Sequence, residues 1–152
     1  MLEKLEKITD EAAALHSKLI VLIGERGAGK SKLLSALGKR HEAHILNVGS
    51  ELGRRLSACP VKLRPLLATD LLRELANGRA ASDLLLIDNI ELLFDRTLQL
   101  DPLDLLKQLA RSRRVVAVWP GQLRDGRLVY AQMGHPEHQD YGLDGLVPFA
   151  IQ

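Results

Sequence analysis

The feature that most constrains the fold of this chain is a glycine-rich octapeptide at residues 24–31. Its sequence, Gly-Glu-Arg-Gly-Ala-Gly-Lys-Ser, fits the pattern G-x-x-x-x-G-K-[ST] at every fixed position. A continuous apolar run at residues 19–23 precedes it, and residues 32–37 follow with apolar side chains at helical spacing. In a strand–loop–helix unit, loop amides and a helix N-terminus surround an anion. The segment predicts a phosphate-binding loop, with an ordinary glycine-rich turn as the alternative.

Each position of this loop has an expected role in holding a nucleotide. The glycines let the backbone curl, so that successive N–H groups point into one hollow. Lys30 is expected to reach the outer phosphates, and the hydroxyl of Ser31 to ligate Mg²⁺. The predicted nucleotide-binding residues are Gly24, Glu25, Arg26, Gly27, Ala28, Gly29, Lys30 and Ser31. ATP and Mg²⁺ are therefore the expected cofactors.

Composition limits the class of protein. A chain of 152 residues, 46% hydrophobic and 26% charged, has the size and balance of one soluble globular domain. It contains no apolar run of bilayer-spanning length, and its charged, amphipathic N-terminus is unlike a signal peptide. The single cysteine, Cys59, excludes an intrachain disulfide. We therefore expect a cytoplasmic protein without a membrane association. Its net charge of +2 leaves DNA binding open.

The alternation of strand-like and helix-like segments predicts the fold class. Strands are predicted at 19–23, 44–48, 84–88, 115–119 and 127–130, the last paired through an Asp125-Gly126 turn. Helices are predicted at 2–17, from the P-loop to about Arg40, and from Asp101-Pro102 to about Arg113. A further helix is predicted at 50–56, with Ser50 as its N-cap. Another is predicted at 71–76, with Thr69 or Asp70 as its N-cap and Asn77-Gly78 at its C-terminus. The segment 134–152 is predicted to be a polar, loop-like tail.

This pattern predicts a single P-loop NTPase domain over residues 1–152, with residues 1–17 as an N-terminal packing helix. The fold class is α/β, with a mostly parallel, doubly wound sheet flanked by helices. No helical domain follows the predicted sheet. We therefore expect an AAA-like core without the C-terminal lid domain of large ring ATPases.

Asp88 is expected to supply the second part of the site. It ends the buried apolar run 84–87, so its carboxylate should emerge at the carboxyl edge of the sheet, beside the P-loop. There it would hold Mg²⁺ together with Ser31, in the role of the Walker B acid. The alternative is an N-cap for a short helix at 90–94, and the two roles are compatible.

The residue after Asp88 bears directly on hydrolysis. Many ATPases of this architecture place a glutamate there to polarise the attacking water, whereas this chain has Asn89, which cannot accept a proton. Glu91 is the nearest carboxylate, and it is either a base or a surface residue of the short helix. Lys30, Glu91 and Asn89 are therefore the candidate catalytic positions. We expect slow intrinsic hydrolysis.

Phosphoryl transfer also needs a cation for the developing charge. The candidates are Arg111, Arg113 and Arg114, which end a predicted helix, and Arg124 and Arg127, which follow the last buried strand. Any of them could serve in cis or reach a neighbouring subunit's nucleotide, and a helix-dipole role is the alternative for the first three.

Trp119-Pro120 stands where related ATPases often carry a polar sensor residue. Residues 135–138, His-Pro-Glu-His, favour a partner-facing loop over a metal site because of the proline.

Several blocks, taken in order, resemble a known family. They are the P-loop, Leu-Ile-Asp-Asn-Ile-Glu-Leu-Leu-Phe-Asp at 86–95, Asp-Pro-Leu at 101–103, Val-Trp-Pro-Gly at 118–121 and Gly-His-Pro-Glu at 134–137. They resemble BrxF, the small P-loop proteins of type 3 BREX (bacteriophage exclusion) systems, over nearly the whole chain. The resemblance implies an antiviral-defence component that binds ATP and works beside a large ATPase, a PglZ-type protein, an adenine-specific DNA methyltransferase and a helicase. It supplies no catalytic base.

Three functions remain open on the sequence. The first is a nucleotide-driven, self-associating subunit of an oligomeric defence complex, in the manner of a minimal AAA-type ATPase. The second is a binding-only switch with marginal hydrolysis, which Asn89 favours. The third is a small-molecule P-loop kinase, which needs an arginine-bearing lid that no segment resembles.

Overall fold

The computed structural model describes residues 1–14, 18–79, 83–131 and 135–151. The helices are α1 (Leu2–Ala12), α2 (Lys30–His41), α3 (Val48–Ser57), α4 (Arg64–Arg79) and α5 (Pro102–Leu109). The strands are β1 (Leu19–Ile23), β2 (Ile45–Asn47), β3 (Leu84–Asp88), β4 (Arg114–Val118), β5 (Gln122–Arg124), β6 (Arg127–Tyr130), β7 (Gln139–Tyr141) and β8 (Val147–Ala150). Short 3-10 helices occupy Val61–Leu63, Glu91–Phe94 and Arg96–Leu98. Residues 15–17 of the predicted first helix lie outside the described residues.

The main sheet has five strands in the order β2-β3-β4-β1-β8, and every pair is parallel. All five residues of β1 are buried, as are four of five in β3 and in β4. This burial explains why the central strands are continuous apolar runs, since parallel sheets are covered on both faces. The predicted α/β class, with a mostly parallel sheet flanked by helices, is confirmed.

Helices cover both faces of this sheet. Side chains alternate along β1, so Leu19, Val21 and Ile23 pack into one core cluster, and Ile20 and Leu22 pack into another. The first cluster includes residues of α3, α4 and α5, and the second includes residues of α1 and α2. The predicted doubly wound arrangement is therefore confirmed.

The prediction of a loop-like tail was wrong for two segments, because residues 139–141 and 147–150 form strands β7 and β8. β7 pairs with β6, and β8 joins the main sheet beside β1, with Phe149 buried in the core. β8 contains Pro148, and proline is unfavourable inside a sheet because it cannot donate to a ladder. As β8 is the last strand of the sheet, one of its edges needs no partner, and Pro148 is tolerated there. Residue 134, where the tail was predicted to begin, lies outside the described residues.

The boundaries of four helices also differ from the prediction. Helix α1 ends at Ala12, with Ala13 as its C-cap, short of the predicted end at residue 17. Helix α3 begins at Val48 with Asn47 as its N-cap, since the Asn47 side chain accepts a 3.0 Å hydrogen bond from the Ser50 N–H. Helix α4 begins at Arg64, so the positions predicted as its caps lie inside it. Its proline, Pro65, falls in the first turn, where a missing N–H costs nothing. Helix α5 ends at Leu109, short of the predicted end at Arg113.

A second, antiparallel sheet of β5, β6 and β7 lies outside the main one. Asp125 and Gly126 both have positive φ, 52° and 72°, and join β5 to β6 as predicted. Gly121 allows this sheet to approach β4, because a Cβ there would lie 1.8 Å from the carbonyl oxygen of Val129. The small sheet is thereby attached to the end of β4.

The amino edge of the main sheet is fixed by arginines. Arg114 donates to both carboxylate oxygens of Asp83, at 2.9 and 3.1 Å, and to the carbonyl of Thr9 at 3.0 Å. Arg113 donates to Asn77 Oδ1 at 2.7 Å and to the carbonyl of Ala76 at 3.4 Å. These arginines stand where β4 begins, opposite the edge from which the P-loop emerges. A cis role for them at the phosphates, which the sequence left open, is therefore excluded.

Replacing Arg114 by methionine should lower the free energy of unfolding by about 1–3 kcal/mol at neutral pH, since it removes charged hydrogen bonds from a side chain that is 14% exposed. The hydrogen bond from Arg114 holds the pKa of Asp83 below its ordinary value. That stabilisation is complete above the ordinary aspartate pKa of about 3.9 and is lost as pH falls through the lower folded value.

The difference in the free energy of unfolding between wild type and Arg114→Met, measured by urea denaturation, should therefore be larger at pH 7 than at pH 3. Arg73→Ala is the control, because the Arg73–Asp70 pair is exposed and should contribute at most about 1 kcal/mol. Equal stability of Arg114→Met and wild type at pH 7 would contradict this account.

Candidate functional site

The backbone of residues 24–31 forms the predicted loop. Gly27 and Gly29 have φ of 84° and 92°, and the Ala28 N–H donates to the Glu25 carbonyl at 3.0 Å. Gly29 is the N-cap of α2, so the first N–H groups of that helix have no partners within it. These amides and the positive end of the helix dipole face the same place, which suits an anion.

Gly24 is required for a different reason. A Cβ on Gly24 would lie 3.0 Å from the carbonyl oxygen of Ile151 and 3.2 Å from the Cβ of Ala28. The Ile151 N–H also donates to the carbonyl of Ile23 at 2.7 Å. The segment after β8 therefore packs against the start of the loop, a contact that the sequence did not predict.

The loop forms one wall of a cleft of about 760 Å³ at the carboxyl edge of the sheet. Seven of the eight predicted loop residues line it, and Ala28 does not. Asp88, Asn89 and Glu91 line the same cleft, so the structure brings all the predicted site residues except Ala28 together. Gln122 and Tyr130, from the small sheet, line it as well, and no local sequence pattern indicated them.

Lys30 connects the loop to the end of β4. Its Nζ donates to the carbonyl of Trp119 at 2.9 Å. Burial lowers the pKa of Lys30, and the negative charges of Glu91 and Asp88 act in the opposite direction. The ammonium is thus partly desolvated within the fields of two carboxylates, where a further anionic oxygen would interact with it strongly.

Asp88 ends β3 and is half-buried. Its Oδ1 accepts a 2.7 Å hydrogen bond from the Asn89 N–H. The following 3-10 helix has Ile90 at its N-cap position, so the alternative role of Asp88 as a helix cap is not observed. A carboxylate and the Ser31 hydroxyl on one cleft are hard oxygen donors of the kind Mg²⁺ prefers. The donor chemistry of the site therefore fits magnesium with a nucleotide.

Asn89 is tied to the neighbouring helix. It has a φ of 58°, and its Nδ2 donates to Asn47 Oδ1 at 3.0 Å. The Asn89 carbonyl accepts from the Gly49 N–H at 2.9 Å, and a Cβ on Gly49 would lie 2.6 Å from Asn89 Nδ2. Asn89 therefore joins the end of β3 to the start of α3. Asn47, which also lines the cleft, was missed, although it ends β2 at the same edge.

Glu91 is exposed on the cleft wall at the start of its 3-10 helix. The same helix ends at Phe94, whose ring stacks on that of Tyr130 with centroids 3.8 Å apart. Burial raises the pKa of Tyr130, and the charges of Glu137 and Glu91 raise it further. The segment bearing Glu91 is thus held against the small sheet by an aromatic contact.

Arg124 and Arg127 line an adjoining pocket of about 630 Å³ on the small sheet, and neither lines the P-loop cleft. Arg127 pairs with Asp140, and Arg124 Nε donates to Gln122 Oε1 at 2.7 Å. His135 Nδ1 accepts from the Glu137 N–H at 3.0 Å, and His138 Nδ1 lies 3.2 Å from the carbonyl of Ala131.

Clustered metal-binding side chains and membrane-spanning helices are both absent from the described residues. No group of three or more histidine, cysteine, aspartate or glutamate side chains is arranged to hold a metal ion in residues 1–14, 18–79, 83–131 and 135–151. In the same ranges no helix combines the length and the apolar character that crossing a bilayer requires.

A glycine loop joins the central β1 to α2, and an aspartate ends a second parallel strand at the same edge of the sheet. The chain therefore has a parallel α/β fold with a P-loop between β1 and α2. No protein-family model matches it, and no curated protein matches it.

Two solved structures are similar to it. The crystal structure of a DNA replication initiation factor is 20% identical with a TM-score of 0.48, over 99% of this chain and 44% of that one. The C. elegans PCH-2 structure is 18% identical with a TM-score of 0.45, over 95% of this chain and 42% of that one. The chain thus spans less than half the length of either.

Replacing Asn89 by alanine should cost more stability than replacing it by glycine. Both changes remove the hydrogen bond to Asn47, and both variants must adopt a φ of 58°. This left-handed conformation costs about 1–2 kcal/mol for alanine, which has a Cβ, and little for glycine. We expect the glycine variant to be more stable by about 1 kcal/mol in chemical denaturation.

The exposed Glu91→Gln change serves as the control and should alter stability by no more than about 0.5 kcal/mol. If Asn89→Ala were as stable as wild type, Asn89 would not hold β3 to α3 as described.

Proposed function

We propose that this protein is an ATP-binding P-loop subunit that hydrolyses ATP slowly and works in the cytoplasm, in a prokaryotic antiphage defence complex of BREX type 3. The observation that supports nucleotide binding is the cleft shared by the P-loop, Lys30 and Asp88. The defence role is supported by the resemblance of the blocks at residues 86–95 and 118–121 to BrxF.

The residues of the cleft have distinct roles in this proposal. The loop amides and the N-terminus of α2 hold the phosphates, and Lys30 places its charge on the outer ones. Ser31 and Asp88 would hold Mg²⁺, which neutralises charge on the phosphate oxygens when it is bound. Glu91, which lines the same cleft, would accept the proton of the attacking water.

Hydrolysis is proposed to be slow because the described residues of the cleft lack two contributions. Asn89 stands where the usual glutamate would be, and its side chain is bonded to Asn47. The arginines of the small sheet line the adjoining pocket and not the P-loop cleft. A cation from another subunit would supply what the cleft lacks, as arginine fingers do.

This requirement connects nucleotide state with assembly. The proposed complex contains further copies of the chain and the other BREX subunits, which are the large ATPase, the PglZ-type protein, the methyltransferase and the helicase. The nucleotide state would be coupled to their assembly or to their action on DNA. Direct DNA contact is a further possibility that the modest net charge of +2 permits.

A binding-only switch is the second candidate, and the hydrogen-bonded Asn89 is the observation that favours it. In that case nucleotide orders the cleft and turnover is marginal. A small-molecule kinase is a weaker alternative, whose acceptor would occupy the pocket lined by Arg124 and Arg127. Screening nucleosides and small acids for phosphate transfer distinguishes it from the other two.

Substitutions at Lys30 and Glu91 should separate binding from turnover. Lys30→Ala should weaken ATP binding at least tenfold, because it removes the charge facing the outer phosphates. Glu91→Gln should keep ATP affinity within about twofold while lowering phosphate release at least tenfold, since an amide cannot act as a base. Calorimetry with ATP or GTP in magnesium buffer measures the first effect, and phosphate release measures the second.

Gly78→Ala is the matched control, because Gly78 lies in α4 with no atom within 4 Å of an added Cβ, and it should change neither quantity. Absence of binding heat for both nucleotides with folded wild-type protein would refute the proposal. Binding with unchanged, negligible release in wild type and Glu91→Gln would favour the switch.

Nucleotide should also change the size of the particle. With a non-hydrolysable ATP analogue and Mg²⁺, light scattering should show a larger species than without them, because the missing cation comes from a neighbouring subunit. Lys30→Ala should not respond to the analogue. A monomer under both conditions, with partner binding unaffected by nucleotide, would contradict the oligomeric mechanism.

A further inference from the structure

Four aliphatic side chains, none of which lines the P-loop cleft, are exposed close together in the sequence. Val61, Leu63, Leu66 and Leu67, here called the aliphatic surface, are 70%, 43%, 73% and 36% exposed. They lie on the 3-10 helix Val61–Leu63 and in the first turn of α4. Among the described residues, the other exposed large hydrophobic side chains are Met1 and Leu123. Scattered exposed residues are ordinary, whereas a group of four indicates an interaction site.

The core does not need these side chains. Helix α4 buries Ala68, Leu72 and Ala76, spaced by four residues along its inner face. That face packs α4 onto the sheet with the rest of its core cluster. The aliphatic surface therefore leaves apolar area in contact with water, and a partner would bury that area.

The surroundings of the aliphatic surface carry a net positive charge. Residues 52–74 contain five cations, Arg54, Arg55, Lys62, Arg64 and Arg73, against two carboxylates, Asp70 and Glu74. Both carboxylates are paired, Asp70 with Arg73 and Glu74 with Arg55, and Arg64 donates to the Cys59 carbonyl. Arg54 and Lys62 are exposed and form no ion pair within the described part of the chain. The surface is thus complementary to a partner that is both apolar and acidic.

Other occupants fit less well. A second copy using the same surface would place these cations against each other, and the described residues contain no exposed aliphatic group of comparable size elsewhere. A membrane is disfavoured because residues 52–69 contain no aromatic side chain, the usual anchor at a bilayer interface. Nucleic acid would leave the leucines unburied.

We propose that the aliphatic surface docks an acidic amphipathic helix of a different protein. The apolar residues of that helix, at i, i+3/i+4 and i+7, cover Leu63, Leu66 and Leu67, and its carboxylates face Arg54 and Lys62. Asn47, the N-cap of α3, is hydrogen-bonded to Asn89 at the cleft. The docked helix contacts the segment that follows α3, and α3 therefore lies between the docked helix and the cleft. The proposal stands independently of the catalytic roles given above.

The test uses the full chain and a synthetic 18-residue helix with leucines at those spacings and glutamates elsewhere. Fluorescence anisotropy should show binding that weakens with salt, and a peptide with lysine in place of every glutamate should bind at least tenfold more weakly. Leu66→Ser and Lys62→Glu should each weaken binding of the acidic peptide at least fivefold. Both side chains are exposed, so circular dichroism and thermal unfolding should match wild type.

Leu123→Ser, an exposed leucine on β5, is the matched control and should bind like wild type. Equal binding of acidic and basic peptides, or unchanged binding by Leu66→Ser, would overturn the proposal. The proposal would also be overturned if the wild-type protein sedimented with phosphatidylglycerol vesicles and the Leu66→Ser variant did not, since the surface would then bind lipid. Self-association that Leu66→Ser abolishes would also overturn it, in favour of a second copy.

Discussion

Parallel pairing of β3, β4 and β1 is the constraint on which the rest of the structure depends. Parallel strands end at the same edge, so the P-loop after β1, Asp88 at the end of β3 and Trp119 after β4 are brought together without any local signal linking them. The same pairing sends Arg114 to the opposite edge, where it binds Asp83. The topology thus separates residues that make the cleft from residues that secure the fold.

Three residues of the cleft have left-handed backbone conformations. Gly27 and Gly29 are left-handed in the loop, and Asn89 is left-handed directly after the strand that carries Asp88. The cost of such a conformation is small for glycine and larger for asparagine, so Asn89 needs its hydrogen bonds to Asn47 and Gly49. The backbone at the end of β3 is consequently held in one arrangement, in which the Asn89 side chain is bonded to Asn47, the N-cap of α3. The hydrogen bonds set the orientation of the Asn89 side chain, and its carboxamide cannot act as a base in any orientation.

Local patterns predicted the parts of this molecule that depend on neighbours in sequence. The P-loop, Asp88 and the three central strands were recognisable because a glycine loop at this spacing and a continuous apolar run are each typical of one kind of structure. β8 was missed because the tail is polar overall and because Pro148 is disfavoured inside a sheet; its place at the edge, where proline is tolerated, is decided by the whole sheet. The start of α4 was missed because Pro65 fits a connecting segment as well as a first turn. The place of Tyr130 on the cleft follows from how the small sheet docks, which no local window contains.

Trp119 shows how that docking reaches the nucleotide cleft. Its indole N–H donates to the Val129 carbonyl at 3.2 Å, and its ring makes edge contacts with Phe94 and Tyr141. Its own carbonyl accepts from Lys30, whose ammonium has three donors and so retains two for phosphate oxygens. The position of that ammonium is therefore set by β4 and the small sheet as well as by the loop. The carbonyl that Lys30 contacts belongs to the backbone of Trp119. Its position is therefore set by the packing of the Trp119 indole against the small sheet.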